Sequence, residues 1–310
     1  MSANVETMFS VRKVPWHRLG TIIQDAPDSK EAIRLAGLDW RVEQSDVICA
    51  ADGSVIPGYK VNIRNTDGKV LGMVTDRYKI VQNEEAFAFT DALLGEGVRY
   101  ETAGSLSSGK RVWMLARLEG RMMTDERIDP YLVFTNSHDG TGAIRVAITP
   151  IRVVCQNTLN FALRNAERQW SCVHLGDINS KMDEAKHTLM NANTYLEALE
   201  EEFGELKLKK TDVDKVREYV NMLLPIAEED SDRKKRNMED LRTDLMNRYL
   251  YAPDLMMVEH SMYRFVNAVS DFATHKIPKR NTKSYQENLF MKTVDGNAFI
   301  DQAYKMAVAA

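Results

Sequence analysis

Near its midpoint this chain changes its hydrophobic period, and that change constrains the fold more than any single motif. Over 143–149, Ile144, Val146 and Ile148 alternate with Arg145 and Ala147, the period of a strand with one buried face. From about Asn157 the spacing becomes three and four. Leu159, Ala162, Leu163 and Ala166 share one side of a helix, and Asn157, Asn160, Arg164 and Arg168 share the other. A sheet-forming half followed by a helix-forming half predicts an α+β protein: an N-terminal antiparallel β-rich domain with packed helices over 1–176, and a C-terminal helical domain over 177–310.

Turn chemistry sharpens the first half. Asp52-Gly53, Asp67-Gly68 and Asp139-Gly140 suit the positive φ of tight hairpins. The first two separate expected strands at 41–49, 54–64 and 69–75, a meander. Further strands are expected at 98–103, 111–118, 131–135 and 143–149, the last ended by Pro150. Two helices interrupt them: 29–36, capped by Ser29 and stopped by Gly37, and 83–94, stopped by Gly95-Glu96-Gly97. Beyond Gly176 long helices are expected at 178–203, 212–223, 231–249 and 255–275, punctuated by Pro225 and Pro253, and the closing segment 284–310 reads as a helix broken by Gly296.

Composition removes several classes. With 44% apolar and 28% charged residues among 310, the chain has enough apolar material for a sizeable core, and global disorder is excluded. No run approaches the roughly 20 apolar residues of a membrane span, and MSANVETMFS lacks a basic and then apolar leader, so no membrane partner is expected. Cys49, Cys155 and Cys172, odd in number and without CxxC spacing, imply neither a disulfide framework nor a zinc site and fit a reducing cytoplasm.

Catalytic signatures are missing. Neither GxxxxGK[ST] nor GxGxxG occurs, and the six histidines are scattered singly rather than at metal-ligand spacings, so no cofactor or metal is expected. Cys155, Asn157 and His174 contain the types of a Cys-His-Asn nucleophile. Cys155 follows Val153 and Val154, however, and reads as a buried thiol, so no catalytic residue is assigned.

The binding signal is charge. The net charge is −4, yet over 60–80 Lys60, Arg64, Lys69, Arg77 and Lys79 outnumber Asp67 and Asp76. The stripe Asn157, Asn160, Arg164 and Arg168, with Arg145 and Arg152 upstream, places guanidinium forks and amides where phosphate oxygens or base edges could be met, though a solvated helix face would look the same. Lys60, Arg64 and Lys79 join these as candidate nucleic-acid contacts. Trp16, Trp40, Trp113, Tyr59, Tyr78 and Tyr131 include candidate stacking residues, although core packing accounts for most aromatics in strands. The run Arg233-Lys234-Lys235-Arg236 follows Glu228-Glu229-Asp230 and reads as a solvated helix entry.

Several blocks carry a likeness: Trp16 to Gly20, Gly37 to Trp40, Tyr78 to Asn83, Thr102 to Leu106, Asn136 to Gly140 and Arg152 to Leu159. In order and spacing they resemble the phage/plasmid-like protein family, the domain-of-unknown-function 932 family. The resemblance implies a role in a mobile element within a bacterial host and brings no catalytic residues. The helix, meander, helix order also broadly resembles the single-strand annealing proteins of recombination, a likeness of arrangement alone. The expectation is a non-enzymatic DNA-metabolism accessory binding single-stranded DNA, possessing no heptad seam that would specify a homo-oligomer. The alternative is a counter-defence or host-takeover protein that binds a host protein through the acidic segment 197–205.

Overall fold

The computed structural model describes residues 5–11, 20–95, 98–123, 126–152, 157–158, 169–190, 192–276 and 297–310. Its centre is a nine-stranded sheet in the order β11-β10-β9-β7-β6-β1-β2, with β12 on β10 and β8 on β9. The strands are β1 (Val5–Val11), β2 (Thr21–Ile23), β6 (Arg99–Leu106), β7 (Arg111–Arg117), β8 (Arg121–Met123), β9 (Glu126–Ser137), β10 (Ile144–Arg152), β11 (Asn157–Thr158) and β12 (Gln169–Cys172). Among the described strands of this sheet only β1 and β2 run parallel to each other. A second sheet, β3 (Val42–Ile48), β4 (Val55–Arg64) and β5 (Val70–Thr75), is the expected meander.

Alternation sets the faces of the large sheet. In β7, Val112, Met114 and Ala116 are buried beside Leu132 and Phe134 of β9 and Ile144, Val146 and Ile148 of β10. Helices α1 (Ser29–Leu35), α2 (Asn83–Leu94) and α3 (Ile178–Met190) cover this face. The cap of α1 is Asp28, whose carboxylate accepts from the Glu31 amide, one residue before the expected Ser29.

Pro150 does not end β10. It lies opposite Pro130, and the Pro130 carbonyl accepts from Leu118 on the far side of β9. The pair therefore exchanges no amide bonds, and the missing Pro150 N–H falls between the stretches paired with β12 and β11. The helix expected from Asn157 is corrected at its first two residues alone: Asn157 pairs with Arg152, and Thr158 with Ile151, as strands, and 159–168 lie outside the described residues.

The second half holds α4 (Ala192–Leu208), α5 (Val213–Leu223), α6 (Asp232–Tyr251), α7 (Met262–His275) and α8 (Ala298–Ala309). The expected helix at 178–203 is two helices, and that at 255–275 begins at Met262, capped by Ser261. Helix α7 is the hub, packing against α4, α6 and α8. Its buried Arg264 donates to the carbonyls of Tyr249, Leu250 and Val258, and so satisfies the C-terminal end of α6. A continuous apolar cluster runs from Phe9 to Ala307, and Tyr263 of α7 donates to Glu126 of β9. Among the described residues no helix is long and apolar enough to cross a membrane.

Candidate functional site

The face of the large sheet turned away from α1 to α3 carries arginines on several strands. Register places Trp113, Thr135, Arg145 and Ser171 in one row across β7, β9, β10 and β12. Arg111 and Ser137 form the row on one side, and Arg99, Arg117, Tyr131 and Thr149 a row further along. The middle of this face is filled: Val133 and Ala147 pack with Leu115, and Trp113 packs with Met8 and Leu106. Arg111, Arg117 and Arg145 are half-buried, and Arg99 is exposed.

Arg99 stands directly opposite Arg117, a like-charged pair that is unfavourable without an anion. Asp129 supplies one charge, meeting Arg117 at 2.8 Å and Arg127 at 3.0 Å. Gly120 is what lets this group assemble, because a Cβ there would come within 2.4 Å of the Asp129 carboxylate and 3.1 Å of the Arg127 guanidinium. Two guanidinium groups, Arg117 and Arg127, thus share the Asp129 carboxylate at this end of the sheet, with Arg99 across from Arg117, a cluster of forks of the kind that suits phosphate.

A second polar construction lies on the other face, where the segment 78–83 crosses the turn at 136–140. Tyr78 donates to the Ser137 carbonyl and stacks on His174, and His174 Nδ1 donates to the Lys79 carbonyl at 2.8 Å. Asn136 donates to the Val81 carbonyl. Asn83 donates through its amide nitrogen to Leu38, so its oxygen accepts from His138 Nε2. Both imidazoles are then neutral, with His138 Nδ1 and His174 Nε2 as buried acceptors without a partner among the described residues. Burial, and secondarily His174, lower the His138 pKa to about 3; burial also lowers that of His174.

This construction seats the small sheet. Asn62 donates to the His138 carbonyl at 2.7 Å, and a Cβ on Gly72 would come within 2.6 Å of the Asp139 backbone. Arg64 fixes the other side, reaching Glu6 with two bonds of 2.9 Å and Asp67 with bonds of 2.9 and 2.6 Å while lying over Trp40. Its guanidinium lowers the Glu6 carboxyl and holds Asp67 down to about 2.

The expected contact set is therefore divided. Arg64, with 9% of its side chain exposed, is committed to Glu6 and Asp67 and is withdrawn as a nucleic-acid contact. Lys60 pairs with Asp46 in the small sheet, and Lys79 lines a cleft of about 650 Å³ between α2 and α3 with Glu85, Asp183 and Lys186. Neither shares an element with Arg145. Arg152 and Asn157 are brought together as cross-strand partners, whereas Asn160, Arg164 and Arg168, like Cys155 and Trp16, lie outside the described residues. Trp40, Tyr78, Trp113 and Tyr131 are buried, and Tyr59 is exposed.

Sequence reasoning misses Arg99, Arg111 and Arg117. For Arg111 and Arg117 the signal is the alternation Arg-Val-Trp-Met-Leu-Ala-Arg of 111–117, which sends both terminal arginines to the face opposite the core. Among the described residues no group of three His, Cys, Asp or Glu could hold a metal ion.

An antiparallel sheet layered with helices and followed by a helical half defines an α+β protein with a strand-rich first half. A family profile described as Domain of unknown function (DUF932) matches residues 70–293, and the chain belongs to that family. Comparison with curated proteins gives no match, and comparison with solved structures gives none.

Proposed function

We propose that the chain is a non-enzymatic DNA-metabolism accessory of a mobile element, and that it binds single-stranded DNA along the arginine-bearing margin of the large sheet. The observation behind this reading is the alignment of Arg99, Arg111, Arg117 and Arg145 on one face, with Arg117 and Arg127 sharing the Asp129 carboxylate at one end. Guanidinium forks match phosphate oxygens two at a time, and an exposed hydroxyl such as that of Ser171 supplies a neutral contact beside them. Because the face is filled at its centre, the strand follows the margin and the buried tryptophan and tyrosine support the sheet rather than stack on bases. Filter binding of a labelled oligonucleotide at low salt is the test: retention is expected, and no retention at any protein concentration removes the reading.

A protein partner is the second reading, supported by one observation. Glu197, Glu201 and Glu205 recur at four-residue spacing on α4 and are exposed, a negative stripe fit for a basic partner. A stoichiometric host protein recovered with the chain after nuclease treatment, and absent when all three are changed to Gln, supports it.

A further inference from the structure

Where the segment 78–83 crosses the turn at 136–140, three buried acceptors collect. Asn136, His138 and His174 are 2%, 0% and 3% exposed. Each has one polar atom fixed: the Asn136 amide nitrogen on the Val81 carbonyl at 2.9 Å, His138 Nε2 on the Asn83 oxygen at 3.1 Å, and His174 Nδ1 on the Lys79 carbonyl at 2.8 Å. The atoms these bonds leave over, Asn136 Oδ1, His138 Nδ1 and His174 Nε2, have no partner among the described residues. Tyr78 ties the three side chains together. Its ring stacks on His174 with centroids 4.5 Å apart, and its hydroxyl donates to the carbonyl of Ser137, the residue between Asn136 and His138. The two imidazoles lie near enough for the charge of one to bear on the other.

All three leftover atoms carry a lone pair and no hydrogen. Buried polar groups of folded proteins find partners, so the occupant that fits here is one that takes up lone pairs. A water donates to two acceptors at most, and its own oxygen then needs a donor. Among the described residues no buried side-chain donor at the crossing is left over to supply one. A metal ion accepts from all three atoms and needs no donor.

The histidines are prepared for that role. A metal-ligating imidazole holds its N–H on an oxygen, which fixes the ring and aims the opposite nitrogen, and His138 and His174 each do so. Burial keeps both rings neutral, the form in which imidazole ligates. Imidazole nitrogen suits zinc, copper or nickel, whereas calcium and magnesium take oxygen ligands. Asp139, partly buried and next in the chain, acts on His138 through its charge and offsets part of a divalent ion's. We propose that this crossing binds a divalent ion of the zinc class through His138 Nδ1, His174 Nε2 and Asn136 Oδ1, with a further position open to water. Because the third ligand is an amide oxygen, no group of three His, Cys, Asp or Glu marks the place. The ion ties the segment 78–83 to the turn on which the small sheet is seated. It lies on the face opposite the arginines and is independent of oligonucleotide binding.

The test is a zinc titration of the full chain after treatment with a chelator, followed by thermal melts and by long-range proton–nitrogen NMR of the histidine rings. The melting temperature is expected to rise and to level off at one ion per chain. One ring signal is expected to shift at Nδ1 and one at Nε2. His174→Gln and His138→Gln each keep an amide donor for the oxygen the ring now meets but lose the ligating nitrogen, and metal-free melts check that they fold. The rise is expected to vanish in both. A wild type whose melt and ring signals ignore zinc overturns the proposal, as does a rise that persists in both variants or shifts confined to other histidines, which would put the ion elsewhere. If neither variant folds, the ring shifts of the wild type decide alone.

Discussion

His138 and Arg64 carry much of the specificity of this fold, in opposite ways. His138 is buried and neutral, with its pKa lowered from 6.5 to about 3, so the unfolded chain binds its proton first. Stability is then fully present above pH 6.5 and falls as the pH drops toward the folded value. Between pH 6.5 and 4.5 the expected loss is about 2 kcal/mol, the slope rising from half its full value at pH 6.5 to about 1.4 kcal/mol per pH unit below. Urea denaturation at the two pH values measures it, in a window above the range in which Glu6, Asp67 and Asp139 release their own contribution. His138→Gln keeps a donor for Asn83 and should flatten the dependence; an unchanged slope would assign the loss elsewhere. Arg64 is charged and satisfied by two carboxylates, one of them half-exposed. Arg64→Lys cannot hold both in the same bidentate geometry, and a loss of about 2 kcal/mol is expected in the same denaturation assay.

At the scale of elements, the junction of the two sheets makes its own prediction. Gly72→Ala drives a methyl into the Asp139 backbone, and about 1–3 kcal/mol of destabilisation is expected, with faster amide exchange in β3 to β5 than in β9. Uniform exchange across both sheets would contradict the seating of the small sheet on that turn. Local chemistry makes many elements readable. Helix 83–94 and the strands around Asp52-Gly53 and Asp67-Gly68 are found where their turn residues and caps place them, because period and punctuation agree there. Val5–Val11 is not legible as a strand, since it is paired by residues about 95 positions away, Ser105 and Ala103 among them. Asn157–Thr158 reads as helix from sequence because two residues of strand leave no period of their own, and the helical spacing beyond them extends backward over the pair. Of the candidate site, Arg145 is legible from its strand. Arg111 and Arg117 share a face by alternation within one strand, but that Arg99 and Arg145 join them depends on register between strands.

For the whole molecule, the charge distribution matters more than the net −4. The core face of the large sheet is closed by helices, the small sheet is fixed at one end of it, and the arginines occupy the remaining face. Binding of single-stranded DNA there rests on phosphate neutralisation, and neutralisation has a signature in salt. The direct measurement is oligonucleotide affinity against salt concentration for wild type and for Arg111→Ala/Arg145→Ala. The logarithmic slope is predicted to become shallower by about 1.4 in the double variant, about 0.7 for each phosphate that is no longer neutralised, together with weaker binding across all oligonucleotide sequences. A slope identical in the two proteins would contradict a phosphate-binding arginine face.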